Sequence, residues 1–255
     1  AMVATDAVTL SIAIANPASS PATVLLRFLR LAHPPVTHVL SVPPTGRATV
    51  RTEDVPGMEF AEFSTVIESD LPVVVDRTMS WNDTAYGSHA ETSQAEPALT
   101  WYLAEGATKA SFDLWYLLQN PSLTADATVR ITYLQPSGIP PIVAPEITLP
   151  RDSRTNIHVD AIPGLEDTDV SAVIEVTNGV PVLVERAMYT SGPQTRRFEA
   201  GHVAAGVTAP AVAWLLAEGA TGDQFDEFIL LANPTPTPTV VRIAYLQSAG
   251  TACTK

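Results

Sequence analysis

The chain has 255 residues, 46% of them hydrophobic and 16% charged, enough apolar material for one to three packed domains. Its formal net charge of −13, from 27 acidic and 14 basic residues, excludes the clustered Lys and Arg that nucleic acid and anionic membranes require. No apolar run approaches the roughly 18 residues of a membrane-spanning helix, AMVATDAV lacks the basic start of a signal peptide, and the one cysteine, Cys253, permits no intrachain disulfide.

In chain order, the first turn signal is Asn16-Pro17, followed by the apolar segment ATVLLRF (22–28). VPPTGR (42–47) punctuates the chain before STVIESDLPVVVDRTM (64–79), and Trp81 and Tyr86 follow. WYLAEGATKASFDLWYLLQNP (101–121) ends on the next Asn-Pro, and ATVRITY (127–133) alternates Val129, Ile131 and Tyr133 with polar residues, the period of a strand with one buried face. LPRDSR (149–154) matches VPPTGR; Ile157 and Val159 alternate with Asn156, His158 and Asp160; SAVIEVTNGVPVLVERAMY (171–189) matches 64–79 with two residues inserted before the proline. WLLAEGATGDQFDEFILLANP (214–234) then repeats 101–121 at 13 of 21 positions, and TVVRIAY (239–245) follows as a further expected strand.

A self-match of this length means a repeated unit. The expected fold is all-β, tandem immunoglobulin-like β-sandwich modules: module one over 1–100, module two over 101–213 and a partial third over 214–255. The 22 prolines suit loops and strand ends, and no stretch carries a helical stripe.

Residues kept in more than one copy are expected to serve the module. Trp101 and Trp214 read as core plugs, as do Phe112, Phe225, Tyr133 and Tyr245. Gly106 and Gly219 of the Ala-Glu-Gly-Ala-Thr turns are expected to supply unusual backbone angles, with Thr108 and Thr221 bonding the turn's own backbone. Alternation places Arg186 on the face of Val182, Val184 and Met188; a guanidinium there needs a carboxylate, so Glu105 or Glu218 is expected to pair with an arginine of the Arg77/Arg186 kind. A glycosidase-like pair is disfavoured because Glu105 and Glu218 are equivalent positions of different modules. His89 and His202 share a repeat position and read as structural, and the five histidines show no metal-ligand spacing. The acidic stretches 166–169 and 223–227 read as solvated loops rather than calcium loops. No catalytic, metal or cofactor residues are expected.

The WYLAEGAT, Asn-Pro, LP-x-x-SR and PVLVERAMY elements resemble the tandem β-sandwich repeats of secreted and cell-surface bacterial proteins, particularly of actinobacteria. That resemblance implies an extracellular, non-enzymatic structural or adhesive module whose partners are neighbouring repeats or other copies of the chain. The runner-up is a carbohydrate-binding module for glycan or cell wall, with Trp81, Tyr86 or Trp115 offering exposed rings. Module one departs from the pattern: Asp76 replaces the Glu of the Glu-Arg pair, and the opening Trp strand is absent. On that ground residues 101–104 are expected to close module one, and 214–217 module two, since otherwise module one would carry a bare apolar flank. Residues 222–255 are expected to hold two strands that lean on a neighbour.

Overall fold

A computed structural model of the chain describes residues 8–81, 87–191, 198–222, 225–246 and 252–254. It is all-β, and among the described residues the only helical turns are 3₁₀ turns at Thr52–Asp54 and Val159–Ala161. The strands are β1 Val8–Asn16, β2 Ala22–Arg30, β3 His33–Val42, β4 Gly46–Arg51, β5 Phe63–Ser69, β6 Val74–Trp81, β7 Gly87–Thr92, β8 Thr100–Leu103, β9 Phe112–Asn120 and β10 Ala127–Leu134. There follow β11 Ile142–Val143, β12 Ile147–Leu149, β13 Ser153–His158, β14 Ser171–Val176, β15 Leu183–Thr190, β16 Ala200–Ala205, β17 Ala244–Leu246 and β18 Ala252–Thr254.

Two antiparallel sheets, β4-β1-β6-β7 and β3-β2-β5, share one core built from Ile12, Ile14, Val24, Leu26, Phe28 and Val42. Two more, β13-β9-β15-β16 and β11-β10-β14-β8 with β12 beside β10, share a second core around Trp101, Tyr116, Tyr133, Leu149 and Ile174. The four-stranded orders coincide strand for strand. Strict alternation accounts for them: in β10, Ala127, Val129, Ile131 and Tyr133 are buried while Thr128, Arg130 and Thr132 are half-buried on the other face.

One expectation is overturned. β8 pairs antiparallel with β14, Trp101 opposite Ile174 and Leu103 opposite Ala172, and Tyr102 bridges Val207. It therefore opens the second sandwich and does not close the first. Among the described residues the first sandwich has β3-β2-β5 in the layer where the second has β8 as well, and none of their strands pairs with the outer edge of β5. The bare surface this implies is covered by the second sandwich. The outward side chains of β9 and β15 pack on Val8, Met79 and Trp81, forming a third cluster in which Trp81, Ala187, Tyr189 and Phe198 are buried. Trp81 meets Tyr189 edge-on at 5.5 Å and donates its Nε1–H to the Phe198 carbonyl.

The tail behaves differently. Among the described residues, 214–217 form no strand, and of the expected 239–245 strand only Ala244 and Tyr245 lie in one, β17, paired with β18. Trp214 is 59% exposed, and Phe225 and Tyr245 are exposed too, so these three plug no core here, unlike Trp101.

The Asn-Pro turns share one device. Asn120 is fully buried: its Nδ2 donates to the Ala125 and Leu149 carbonyls, and its Oδ1 accepts from the Ser122 amide. Asn16 does the same with Ser20, Val42, Pro43 and Ala18. Asn120→Ala should cost about 2–3 kcal/mol in urea unfolding, because a buried carbonyl and amide lose their partner; Asn233→Ala, whose counterpart bonds are exposed, should leave the midpoint unchanged.

Candidate functional site

Arg186 lies on the inward face of β15 between Val184 and Met188 and is 3% exposed. Its Nη1 is 2.7 Å from Glu105 Oε2, in the turn after β8, and its Nη2 lies 3.1 Å from His202 Nδ1 on β16. His202 Nε2 is 3.6 Å from the other Glu105 oxygen. The carboxylate that the sequence demands for this arginine is thus Glu105, with a histidine beside it. Glu218, by contrast, lies in the exposed tail and forms no such pair among the described residues.

Gly106 makes the turn possible for a different reason from the expected one. Its φ is not positive; a Cβ there would stand 2.6 Å from the Val170 carbonyl and 2.9 Å from Leu114, so the residue is small because two strands converge on it. Gly219 likewise has no positive φ, and a Cβ would meet the Glu227 carboxylate. Thr108 bonds across to the 165–168 loop rather than within its own turn, donating to the Leu165 carbonyl and accepting from the Thr168 amide.

The first sandwich repeats the inward arginine as Arg77 and the histidine as His89, opposite Met79 as His202 is opposite Met188. Here the carboxylate comes from the second sandwich: Arg77 Nη2 bonds Glu185 Oε2 at 3.0 Å. Neighbouring cross-sandwich contacts are Arg154 Nη1 to the Phe63 carbonyl (2.8 Å), Gln119 Nε2 to the Thr65 carbonyl (3.3 Å), Asn156 Nδ2 to Glu62 (3.2 Å), and an Arg27–Asp152 ion pair. Between these contacts lies a cavity of about 230 Å³. Ser64 Oγ, Arg77 Nε, both ring nitrogens of His89 and Trp115 Nε1 border it, buried and without a hydrogen-bond partner among the described residues. Burial, with Arg77 and then His202 nearby, pushes His89 down to about 4, so its ring is neutral at physiological pH. Burial also lowers His202, reinforced by Arg186 and opposed by Glu105, and raises Glu91. Ser64, His89 and Trp115 thus line the cavity beside Arg77, which Glu185 already engages, and Glu62, Glu91 and Arg154 line it as well.

Trp81 is 2% exposed, sealed in the interface by Tyr189 and Phe198. Trp115 stacks on His158 at 4.2 Å, and Tyr86 lies outside the described residues. Sequence reasoning missed one cluster: Asp113, His158 and Asp160 bring ligand-type atoms within 4.8 Å of one another. Two of them are 45 residues apart in sequence, so no spacing rule could find them. Each is already engaged, His158 Nε2 with Asp113 at 2.7 Å and Asp160 with the Leu114 amide at 2.8 Å. In the acidic stretch 166–169, Glu166 accepts from the Gly164 amide and Asp169 pairs with Lys109.

No protein-family model matches the chain, and no curated protein matches it. Among solved structures it is similar to a Thermotoga maritima protein designated 1070, at 17% identity over 45% of this chain and 97% of that one, with a TM-score of 0.39. It is also similar to the Anabaena sensory rhodopsin transducer, at 24% identity over 37% and 91% of the respective chains, with a TM-score of 0.31. At these scores neither likeness bears on function. No helix among the described residues is long and apolar enough to cross a membrane.

Arg186→Ala strands Glu105 beside a buried void and should cost about 3–5 kcal/mol by chemical denaturation. Arg77→Ala, at a side chain 29% exposed, should cost only about 1 kcal/mol after solvent screening. A histidine whose folded pKa is depressed binds fewer protons folded than unfolded, so stability should fall as pH drops from about 6.5 towards about 4. His202 adds to that trend, whereas Glu91, raised by burial, opposes it. Melting curves of His89→Phe across this window should show a shallower decline than the parent chain.

Proposed function

We propose that the chain is a non-enzymatic structural module of the cell exterior, part of a tandem array whose units join through β-strands. The observation that carries this reading is the repeat, seen in the shared strand order of β4-β1-β6-β7 and β13-β9-β15-β16. Residues 214–246 repeat the sequence that builds β8 to β10 of the second sandwich, where those side chains are core, yet Trp214, Leu215, Leu216, Phe228 and Val240 stand 59%, 97%, 71%, 79% and 98% exposed. That a core-forming segment recurs is the mark of a tandem array. The same strand order in both sandwiches supports immunoglobulin-like tandem units, and the WYLAEGAT and VERAMY motifs support the secreted, bacterial setting of the repeats they resemble. Unit-to-unit contact through one extensive face gives a stiff, extended assembly, the mechanical property a spacer or filament needs.

Sedimentation velocity of the full chain tests the reading. The average mass should rise with concentration from the micromolar range upward, and the double variant Leu215→Asp, Leu216→Asp should hold the chain as a monomer. A parent chain that stays monomeric throughout would remove the support for assembly.

A further inference from the structure

The exposed loop between β14 and β15 carries the one Asn-Gly pair of the chain, Asn178-Gly179. Three backbone groups hold the Asn178 side chain. Its Oδ1 accepts from the Thr128 amide at 3.0 Å and from the Val180 amide at 3.4 Å, and its Nδ2 donates to the Asp126 carbonyl at 2.8 Å. The contact with Val180 bends the carboxamide back over the Gly179 peptide. Gly179 has a φ of +79°, open space where a Cβ would stand, and no hydrogen bond on its amide among the described residues. An amide nitrogen thus lies next to a carboxamide carbon whose oxygen two N–H groups already polarise. Those donors stand where negative charge gathers when a nucleophile adds to that carbon, the arrangement that stabilises an oxyanion. The first sandwich shows what such a loop tolerates. The Thr23 amide, counterpart of Thr128, is taken by Asp70 Oδ1 at 2.8 Å, and the Asp70 amide donates to the Thr23 carbonyl as that of Thr177 does to Thr128. A carboxylate there fills the acceptor role that the carboxamide has in the second sandwich.

We propose that Asn178-Gly179 is a self-modification site, at which the loop converts its own asparagine into aspartate or isoaspartate. The Gly179 nitrogen attacks Asn178 Cγ and forms the new C–N bond. The bond from Cγ to Nδ2 then breaks, and ammonia leaves with the proton that the Gly179 nitrogen gives up. Water opens the resulting cyclic imide. Attack at Cγ restores the normal main chain and leaves aspartate; attack at the Asn178 main-chain carbonyl routes the chain through Cγ and leaves isoaspartate. Either product adds one negative charge to a chain already at −13. The aspartyl product keeps both contacts of Oδ1, as Asp70 shows a carboxylate can, and loses only the donor to the Asp126 carbonyl. The isoaspartyl product lengthens the main chain by one methylene between two anchors. These are the Thr177 amide on the Thr128 carbonyl at 2.8 Å and the Val182 amide on the Ala98 carbonyl at 3.0 Å. The longer loop no longer fits both, and it detaches from β10. Other asparagines lack the chemistry. Asn16, Asn120 and Asn233 precede prolines, which have no N–H to lose. Asn156 is followed by the branched Ile157 within β13, and Asn82 lies outside the described residues.

Peptide mapping by mass spectrometry, with enzymatic detection of isoaspartate, tests the site on the full chain held folded in mildly alkaline buffer. Conversion at Asn178 should run at least about tenfold faster than at Asn156, and Gly179→Ala, which hinders the attacking nitrogen, should slow it by at least about tenfold. Asn178→Asp should melt with the parent chain. The isoaspartyl form, separated from aged protein by ion exchange, should instead be cut within residues 177–181 by a protease that leaves the parent whole. Conversion at Asn178 no faster than at Asn156 overturns the proposal, and this comparison decides it even if Gly179→Ala perturbs the loop. An Asn178→Asp chain cut in the loop as readily as the isoaspartyl form overturns the claim that the loop is fitted to a carboxylate.

Discussion

A guanidinium on an apolar face is the constraint from which the rest of this molecule follows. Arg186 cannot sit between Val184 and Met188 without a carboxylate at hand, and the nearest way to deliver one is a turn folded over the edge of the sandwich. The Ala-Glu-Gly turn does this, and the turn is anchored by β8. One ion pair thereby ties the first strand of the unit to one of its last, closing a long loop around the core. His202 Nδ1 lies 3.1 Å from the arginine's Nη2, and burial first, then Arg186, lower the His202 pKa against the pull of Glu105.

The same requirement, met differently, produces the contact between the two sandwiches. Arg77 faces inward as Arg186 does but draws its partner from Glu185, whose side chain points out of the neighbouring sheet. Around this polar joint Trp81, Tyr189 and Phe198 exclude water, which strengthens the Arg77–Glu185 attraction relative to an exposed pair. The match is incomplete. Among the described residues the buried His89 nitrogens and Ser64 Oγ find no partner, which costs free energy, and the interface carries that cost while covering the flank beyond β5.

Much of this was legible in the sequence. Alternation over 127–133 gives β10 its buried face, and the position of Arg186 on that kind of pattern demands a carboxylate that the repeated Glu105 supplies. The ownership of the Trp strand was not legible, because the reasoning against a bare flank assumed that only a strand could cover it. Leu117, Ala187 and Tyr189 do so from the outward face of another sheet, and outward alternate positions of a strand look the same in sequence whether they meet water or a neighbour. Gly106 was read as a backbone-angle residue because turns favour such glycines; only the approach of the Val170 carbonyl shows that it is space that matters. The Asp113–His158–Asp160 cluster arises from strand pairing between β9 and β13, a long-range fact that no local spacing encodes. In the tail, 214–217 and 239–243 carry a strand-like pattern yet form no strand among the described residues.

The asparagine of the Asn-Pro turns has a consequence for how the chain acquires its shape. Asn233 holds the Thr235 amide and the Thr237 carbonyl in the same way that Asn16 and Asn120 hold theirs, although no sheet surrounds it. The bracket spans only a few residues, so closing it loses little chain entropy, and it stands ready before any distant strand arrives. Each copy therefore enters folding with its sharpest bend already set, leaving the polypeptide on either side aimed back towards itself. Long-range strand pairing is the slow step in an all-β chain, and a bend that is preset at every repeat shortens the conformational search where that step is hardest.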